Sequence, residues 1–333
     1  MLCWANWLMN TINWGIIGCG DVTELKSGPA FNKVPNSALV AVMRRNAAKA
    51  ADYAKRHNVP KWYSNANELI HDTNVNAVYI ATPPAFHEAY TIAAIKAGKP
   101  VYVEKPMSLN YQASQKMYLA AEEHNIKLVV AHYRREWPLF KKIKELIDAG
   151  TIGNIQLVKL VYDKPALTAA ELADEKIAWR VNPAISGGGL FHDLAPHQLD
   201  ILYLLFGDAR RIQGLATNQA GAYEAHDLVA GNILFNNNIA FTGTWYFNAA
   251  APADYCEITG SKGNIRFSFF SSNMIELTVG GNTTTFTFDA LQHVQQPMIE
   301  KTVSYFLGQA DNPCSGYEAS IIMRWMDIFV SGR

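Results

Sequence analysis

The alternation of hydrophobic and polar positions changes character near residue 135. Upstream, short apolar runs alternate with stretches in which small or apolar side chains recur every three or four residues. The runs predict strands over Ile12 to Ile17, Leu39 to Met43, Ala77 to Ala81, Val101 to Val103 and Lys127 to Ala131. The intervening pattern predicts helices. One covers Ala47 to His57, with Ala47, Ala50, Ala51 and Ala54 at helical spacing. A second covers Ala85 to Ala97 and stops at Gly98, and a third runs from Ser108, a candidate N-cap, to Asn125. Strands alternating with helices in this way imply a parallel sheet covered on both faces.

Downstream, one more amphipathic helix, Pro138 to Ala149, ends at Gly150. Strands then dominate: Gln156 to Tyr162, Arg211 to Ala216, Leu228 to Phe235, Ile239 to Tyr246, Tyr255 to Thr259, Asn264 to Phe269, Ile275 to Val279 and Thr283 to Phe288. Several alternate polar and apolar residues and are divided by Asn-Asn, Ser-Lys-Gly or Gly-Gly-Asn turns. This is the pattern of an antiparallel sheet with one face on a core. Helices are expected over Leu194 to Leu205, Gln296 to Leu307 and Tyr317 to Val330.

Composition narrows the class. The 333 residues carry 49% hydrophobic and 17% charged side chains and no formal net charge. That is enough chain for two domains with separate cores. Nothing in it attracts nucleic acid or an anionic membrane, so a small-molecule partner is expected. Cys3, Cys19, Cys256 and Cys314 form no C-x-x-C pair and no zinc-spaced cluster. The expectation is a reducing, cytoplasmic setting and no metal. No apolar run approaches the roughly 18 residues that cross a bilayer. The first nine residues are apolar but lack a cationic lead and are too short for a signal peptide, so they read as a tail, with Met9 a candidate natural start.

Three stretches carry candidate chemistry. Gly18-Cys19-Gly20 follows a predicted strand and opens a helix, the arrangement that brings backbone close to a pyrophosphate. Asp21 and Val22 continue that turn, and Thr23 stands where the fingerprint has Gly or Ala, which predicts a slightly wider helix–strand separation. The second strand ends in Met43-Arg44-Arg45-Asn46, with no acid to bind ribose hydroxyls. Guanidinium groups there suit a 2′-phosphate, so NADP is the expected cofactor and NAD the alternative. Thr82-Pro83-Pro84 follows the third strand, with His87 in the next helix as either a cofactor neighbour or a packing group.

The second stretch is Ala97 to Pro106, a short strand ending in Glu104-Lys105-Pro106. A lysine at the carboxyl end of a strand, in the same domain as a dinucleotide turn, stands where a nicotinamide and its substrate meet. Glu104 is a candidate to position it, and both Glu104 and Lys105 are candidate cofactor contacts. The third is Ser186 to Asp200, which contains three glycines, then Asp193 and His197 four apart. Pro196 fits the first turn of a helix, and His197 near that amino end would feel a field opposing protonation. A carboxylate beside an imidazole orients it for proton transfer, although a buried structural pair is the plainer alternative. Asp200 reads as structural.

Taken together, Gly15-Ile-Ile-Gly-Cys-Gly20, Ala97-Gly-Lys-Pro-Val-Tyr-Val-Glu-Lys-Pro106 and Gly187-Gly-Gly-Leu-Phe-His-Asp-Leu-Ala-Pro-His-Gln-Leu-Asp200 resemble the glucose–fructose oxidoreductase / inositol dehydrogenase (Gfo/Idh/MocA) family. The resemblance implies an α/β chain: an N-terminal Rossmann domain over 11–132, then an α+β domain over 133–333 with a large, mostly antiparallel open sheet. It implies a homodimer or homotetramer through that sheet, and Lys105, Asp193 and His197 as the catalytic group. The expected reaction is hydride transfer between NADP(H) and a sugar, anhydrosugar or polyol. Tyr133, Arg134, Tyr162, Trp179 and Arg180 are candidate substrate contacts by placement. The alternatives are a trans-dihydrodiol dehydrogenase, a bilin-reductase-like enzyme, or a non-catalytic NADP-binding regulatory module.

Overall fold

A computed structural model describes residues 10–332; the apolar lead, and with it the expectation that Met9 is the start, lies outside them. Two compact units emerge. The first comprises the described part of Met1–Met107 together with Ser114–Tyr133 and Gln292–Glu318. The second comprises Ser108–Ala113, Arg134–Leu291 and the described part of Ala319–Arg333.

The first unit is built on a six-stranded parallel sheet: β1 (Ile12–Ile17), β2 (Ser37–Met43), β3 (Lys61–Tyr63), β4 (Ala77–Ile80), β5 (Val101–Val103) and β6 (Leu128–Val130), in the order β3-β2-β1-β4-β5-β6. Every residue of β4, β5 and β6 is buried, which is why these strands read as unbroken apolar runs. The connecting helices are α1 (Asp21–Leu25), α2 (Ala47–Arg56), α3 (Ala66–His71), α4 (His87–Lys96) and α5 (Tyr111–Glu123). β3 and α3 had no counterpart among the predicted elements. The cap of α5 also differs from expectation: Asn110 accepts the Ala113 amide at 2.9 Å, while the Ser108 hydroxyl donates to the Asn110 carbonyl. The segment after residue 291 returns to this sheet. Its helix α11 (Gln296–Phe306) sets Phe306 against Trp14, with ring centroids 5.6 Å apart, and Ser315 bridges Val129.

The second unit holds α6 (Pro138–Asp148) and an eight-stranded sheet. Its strands are β7 (Ile155–Asp163), β8 (Ala209–Thr217), β9 (Leu228–Phe235), β10 (Ala240–Tyr246), β11 (Ala253–Gly260), β12 (Gly263–Phe267), β13 (Met274–Val279) and β14 (Asn282–Thr287). They lie in the order β14-β13-β12-β11-β7-β10-β9-β8. All neighbours are antiparallel except β7 and β10. In β9 and β10, Val229, Ile233, Phe235, Phe241 and Trp245 point to the core while Asn232 and Thr242 face outward, the period of two that identified them. Between β7 and β8 lie the short helices α7 (Ala169–Ala173), α8 (Glu175–Ala178) and α9 (Pro183–Ser186), then the long α10 (Gly189–Phe206). The last helix, α12 (Gly316–Ser331), packs Phe329 on Trp245.

α10 corrects two expectations. It begins at Gly189, so Pro196 lies in its interior, where it cannot donate to the carbonyl of His192. His197 is therefore far from the helix amino end, and the argument from that end's field does not apply. The helix nonetheless runs unbroken through Pro196, buried on nearly every side from Leu190 and Phe191 to Leu199, Ile201 and Leu202. Among the described residues no helix is long and apolar enough to cross a membrane.

Candidate functional site

In the first unit, β1 runs into the glycine turn. The amides of Gly18 and Cys19 both donate to the Met43 carbonyl, at 2.9 and 3.2 Å, so the end of β2 holds the loop. Gly18 has φ +94°, and a Cβ there would lie 2.8–2.9 Å from Thr82 Cγ2 and the backbone of Ala81 and Thr82. No other residue fits. Gly20 is extended and precedes α1; Asp21 is exposed and Val22 half-buried. The Thr23 hydroxyl bonds the Gly20 carbonyl at 2.7 Å, and Tyr53 donates to the Thr23 carbonyl at 2.8 Å. Close approach is made instead at Gly28, where a Cβ would fall 2.2 Å from the Thr23 carbonyl oxygen. The Cys19 thiol is fully buried and pushed up to about 11 by that burial, so it offers no nucleophile.

Two edges of this turn suit a dinucleotide. The guanidinium of Arg44 donates to the Cys19 carbonyl at 3.3 Å, lying against the turn itself, while exposed Arg45 stacks over Phe86 at 5.0 Å. Across the turn, the Thr82 Oγ1 is buried without a hydrogen-bond partner among the described residues. A buried hydroxyl in that state fits a missing ligand group. Pro83 and Pro84 continue the loop rigidly, Pro84 buried. His87 is placed otherwise than a cofactor contact. Fully buried, its Nδ1 lies 3.0 Å from the Pro106 carbonyl and its Nε2 2.7 Å from that of Thr82. Both ring nitrogens brace one loop against another.

Lys105 follows β5, half-buried, with a cis peptide bond to Pro106. β1, β4 and β5 are successive neighbours in a parallel sheet, so the glycine turn, Thr82 and Lys105 share its carboxyl edge. Glu104 is buried and does not point away: its Oε2 accepts the Lys105 amide at 3.2 Å, and its Oε1 accepts the Tyr79 hydroxyl at 2.5 Å and the Gln295 side-chain amide. Tyr133 is buried at the end of this unit.

In the second unit, Asp193 and His197 stand one turn apart on α10, on a common face. Asp193 lies 3.5 Å from Arg180, whose guanidinium also stacks on Trp179 at 4.6 Å. His197 is 5% exposed and presents its ring edge to Phe270 at 5.9 Å. Phe270 in turn packs on Tyr162 at 5.0 Å. Arg134 is buried between Trp137 and Phe270, 4.2 and 4.6 Å from the ring centres, and donates to the Phe269 carbonyl. This is the setting of a structural cation. The Tyr162 phenol is pushed up by burial, and further by the charges of Asp254 and Asp193, so it remains protonated. Asp200 is paired with Arg135 at 2.7–3.0 Å, both nearly inaccessible, which fixes it as structural.

Sequence reasoning missed Phe270, and with it Asp254, whose carboxylate accepts the amides of Phe269, Phe270 and Ser271 at 2.7–3.2 Å and so fastens the loop. It also missed Tyr79 and Gln295. None lies in a motif; only Asp254, an acid opening a strand, carried even a weak local signal.

Residues 12–132 match the model of an oxidoreductase family with an NAD-binding Rossmann fold, and residues 140–266 match the GFO/IDH/MocA C-terminal domain. The chain belongs to the GFO/IDH/MocA family. It is 48% identical over 320 residues to Oxidoreductase P35 of Formosa agariphila, covering 96% of this chain and 98% of that protein. A 1,5-anhydro-D-fructose reductase of Ensifer adhaerens is 26% identical over 254 residues, 76% of this chain and 74% of that one. Levoglucosan dehydrogenase, solved with NADH and levoglucosan, superposes with a TM-score of 0.83 at 21% identity, covering 97% of each chain. This GFO/IDH/MocA member is accordingly an oxidoreductase with an NAD-binding Rossmann fold in one unit and a mostly antiparallel sheet in the other.

Proposed function

We propose that this oxidoreductase uses NADP(H) and acts on a hydroxyl- or carbonyl-bearing carbon of a sugar, anhydrosugar or polyol. The observation that carries the reading is Lys105 at the carboxyl end of β5, on the same sheet edge as the Gly18 turn and the unpartnered Thr82 hydroxyl. Gly18, Cys19, Gly20, Asp21 and Val22 would hold the pyrophosphate, Arg44 and Arg45 the 2′-phosphate, and Thr82, Pro83 and Pro84 the ring's flank. The bound nicotinamide supplies or accepts the hydride. Lys105 donates a hydrogen bond to the substrate oxygen, on which charge grows in the reductive direction, and a fixed cation stabilises that charge more than the ground state. His197 carries the proton, with Asp193 orienting its ring. Arg180, already beside Asp193, and Trp179 are the favoured substrate contacts; Tyr162 and Tyr133 shape the surroundings.

A second reading, an aromatic dihydrodiol as substrate, is favoured by one observation: His197 lies against the Phe270 ring, which in turn packs on Tyr162. The outward face of the large sheet carries a shallow cavity of about 300 Å³ lined by Arg211, Gln213, Asn232 and Thr242, and we infer that this face joins copies of the chain. The test is a turnover screen of levoglucosan, 1,5-anhydro-D-fructose, inositols and trans-dihydrodiols with each cofactor. Lys105→Met should cut turnover by roughly a thousandfold or more while NADPH binds within about threefold of wild type. Retained turnover refutes the assignment of Lys105. Tighter binding of NADH than of NADPH refutes the assignment of Arg44.

A further inference from the structure

Glu104 is a buried carboxylate one residue before Lys105, and every donor around it is fixed. Tyr79 lies 2.5 Å from Glu104 Oε1 and 3.2 Å from Ser27 Oγ. A phenol has one proton, so it donates to the carboxylate and accepts from Ser27. Burial, and then the Glu104 charge, push the Tyr79 phenol well above its ordinary range, so this donor never ionises. Gln295 is fully buried; its Nε2 donates to Glu104 while its Oε1 accepts from Tyr102 at 3.1 Å, which fixes the amide's orientation. The Gln295 backbone is itself tied to the Lys26 carbonyl at 3.1 Å. Tyr79 and Tyr102 stack at 5.1 Å. Filling this space needs no charge, and burying a carboxylate is unfavourable without such donors. What the carboxylate adds is one further contact: its second oxygen accepts the backbone amide of Lys105 at 3.2 Å.

Resting on the reading of Lys105 as the donor to the substrate oxygen, we propose that Glu104 is a positioning residue that fixes the peptide from which Lys105 projects. Gln295, delivered by the segment that follows the second unit's strands, holds Glu104 in place. Glu104→Gln turns an amide group towards the Lys105 N–H; Gln295→Met keeps the volume and removes the donor. Each variant, the double variant and Lys105→Met are assayed with levoglucosan plus NADP and with 1,5-anhydro-D-fructose plus NADPH. Each single variant should lower kcat by roughly 10- to 100-fold, with KM and NADPH affinity within about threefold. The double variant should be no worse than the poorer single, because both act through one contact. A loss seen only in melting temperature or in KM, with kcat per folded site unchanged, overturns the inference. If Lys105→Met itself retains turnover, it is the functional reading that fails. Amide hydrogen exchange decides the case if neither sugar is turned over. Exchange of the 101–110 segment should rise by roughly tenfold in both single variants while β1 stays protected, and unchanged exchange there overturns the proposal.

Discussion

Glu24 offers a quantitative test of how the glycine turn is supported. It sits on α1, directly after that turn, and its two oxygens take a forked pair of bonds from Arg56, both at 2.8 Å. His57 adds a contact at 2.8 Å, and its ring stacks on Tyr53 at 4.1 Å. Arg56, chiefly, and then His57 against an opposing burial effect, hold the Glu24 carboxyl down from 4.5 to about 2. A gap of that size corresponds to about 3 kcal/mol. The Glu24 side chain is 34% exposed and that of Arg56 46%, so solvent screening reduces the useful part to about 1 kcal/mol.

The sign follows from the depressed value. The carboxylate's contribution is complete above pH 4.5 and fades as pH falls towards 2. Glu24→Gln should therefore melt roughly 2–4 °C below wild type at pH 7. The difference should shrink steadily below pH 4.5, and about 1 M salt should halve it. The assay is paired thermal unfolding across pH 3 to 7. NADPH affinity should change little, because Met43 holds the Gly18 and Cys19 amides independently of Glu24. Equal melting temperatures at pH 7, or a difference that persists undiminished at pH 3, would refute the reasoning.

Two further outcomes follow from burial and backbone geometry. Asp200→Asn leaves Arg135 as a charge in a nearly inaccessible site, and should lower stability by about 3–5 kcal/mol in urea unfolding. Gly18→Ala forces a Cβ against the Thr82 backbone at positive φ, so NADPH affinity, read by fluorescence titration, should fall by roughly tenfold or more.

What could be read from sequence was whatever physics stays local. β4 and β5 announce themselves because strands buried on both faces have few polar choices, and Gly18 because only one residue tolerates its backbone. Lys105 was legible as a strand-end residue, and Asp193 with His197 as a helical pair. Reading failed where two local signals were equally good or where distance decided. Ser108 and Asn110 are both sound caps by residue type, and the Ala113 amide takes the second. β3 is three residues long with Trp62 exposed at 45%, too short for any period. Pro196 was placed by the local preference of proline for a first turn, whereas α10 continues through it in its tertiary context.

Gln295 is the more instructive failure. It touches Glu104 across 191 residues of chain, and nothing in its neighbourhood distinguishes it from the glutamine that follows. The contact exists because the chain, after completing the antiparallel sheet, comes back to the parallel one, with Phe306 anchored on Trp14 and Ser315 on Val129. A motif is legible when its chemistry is carried by neighbours in sequence, and Glu104-Lys105-Pro106 is such a motif. Its precision, in contrast, depends on a donor supplied from nearly the other end of the chain. A truncation before residue 292 would thus leave every recognised motif of the parallel sheet intact while removing one of the three donors that fix Glu104.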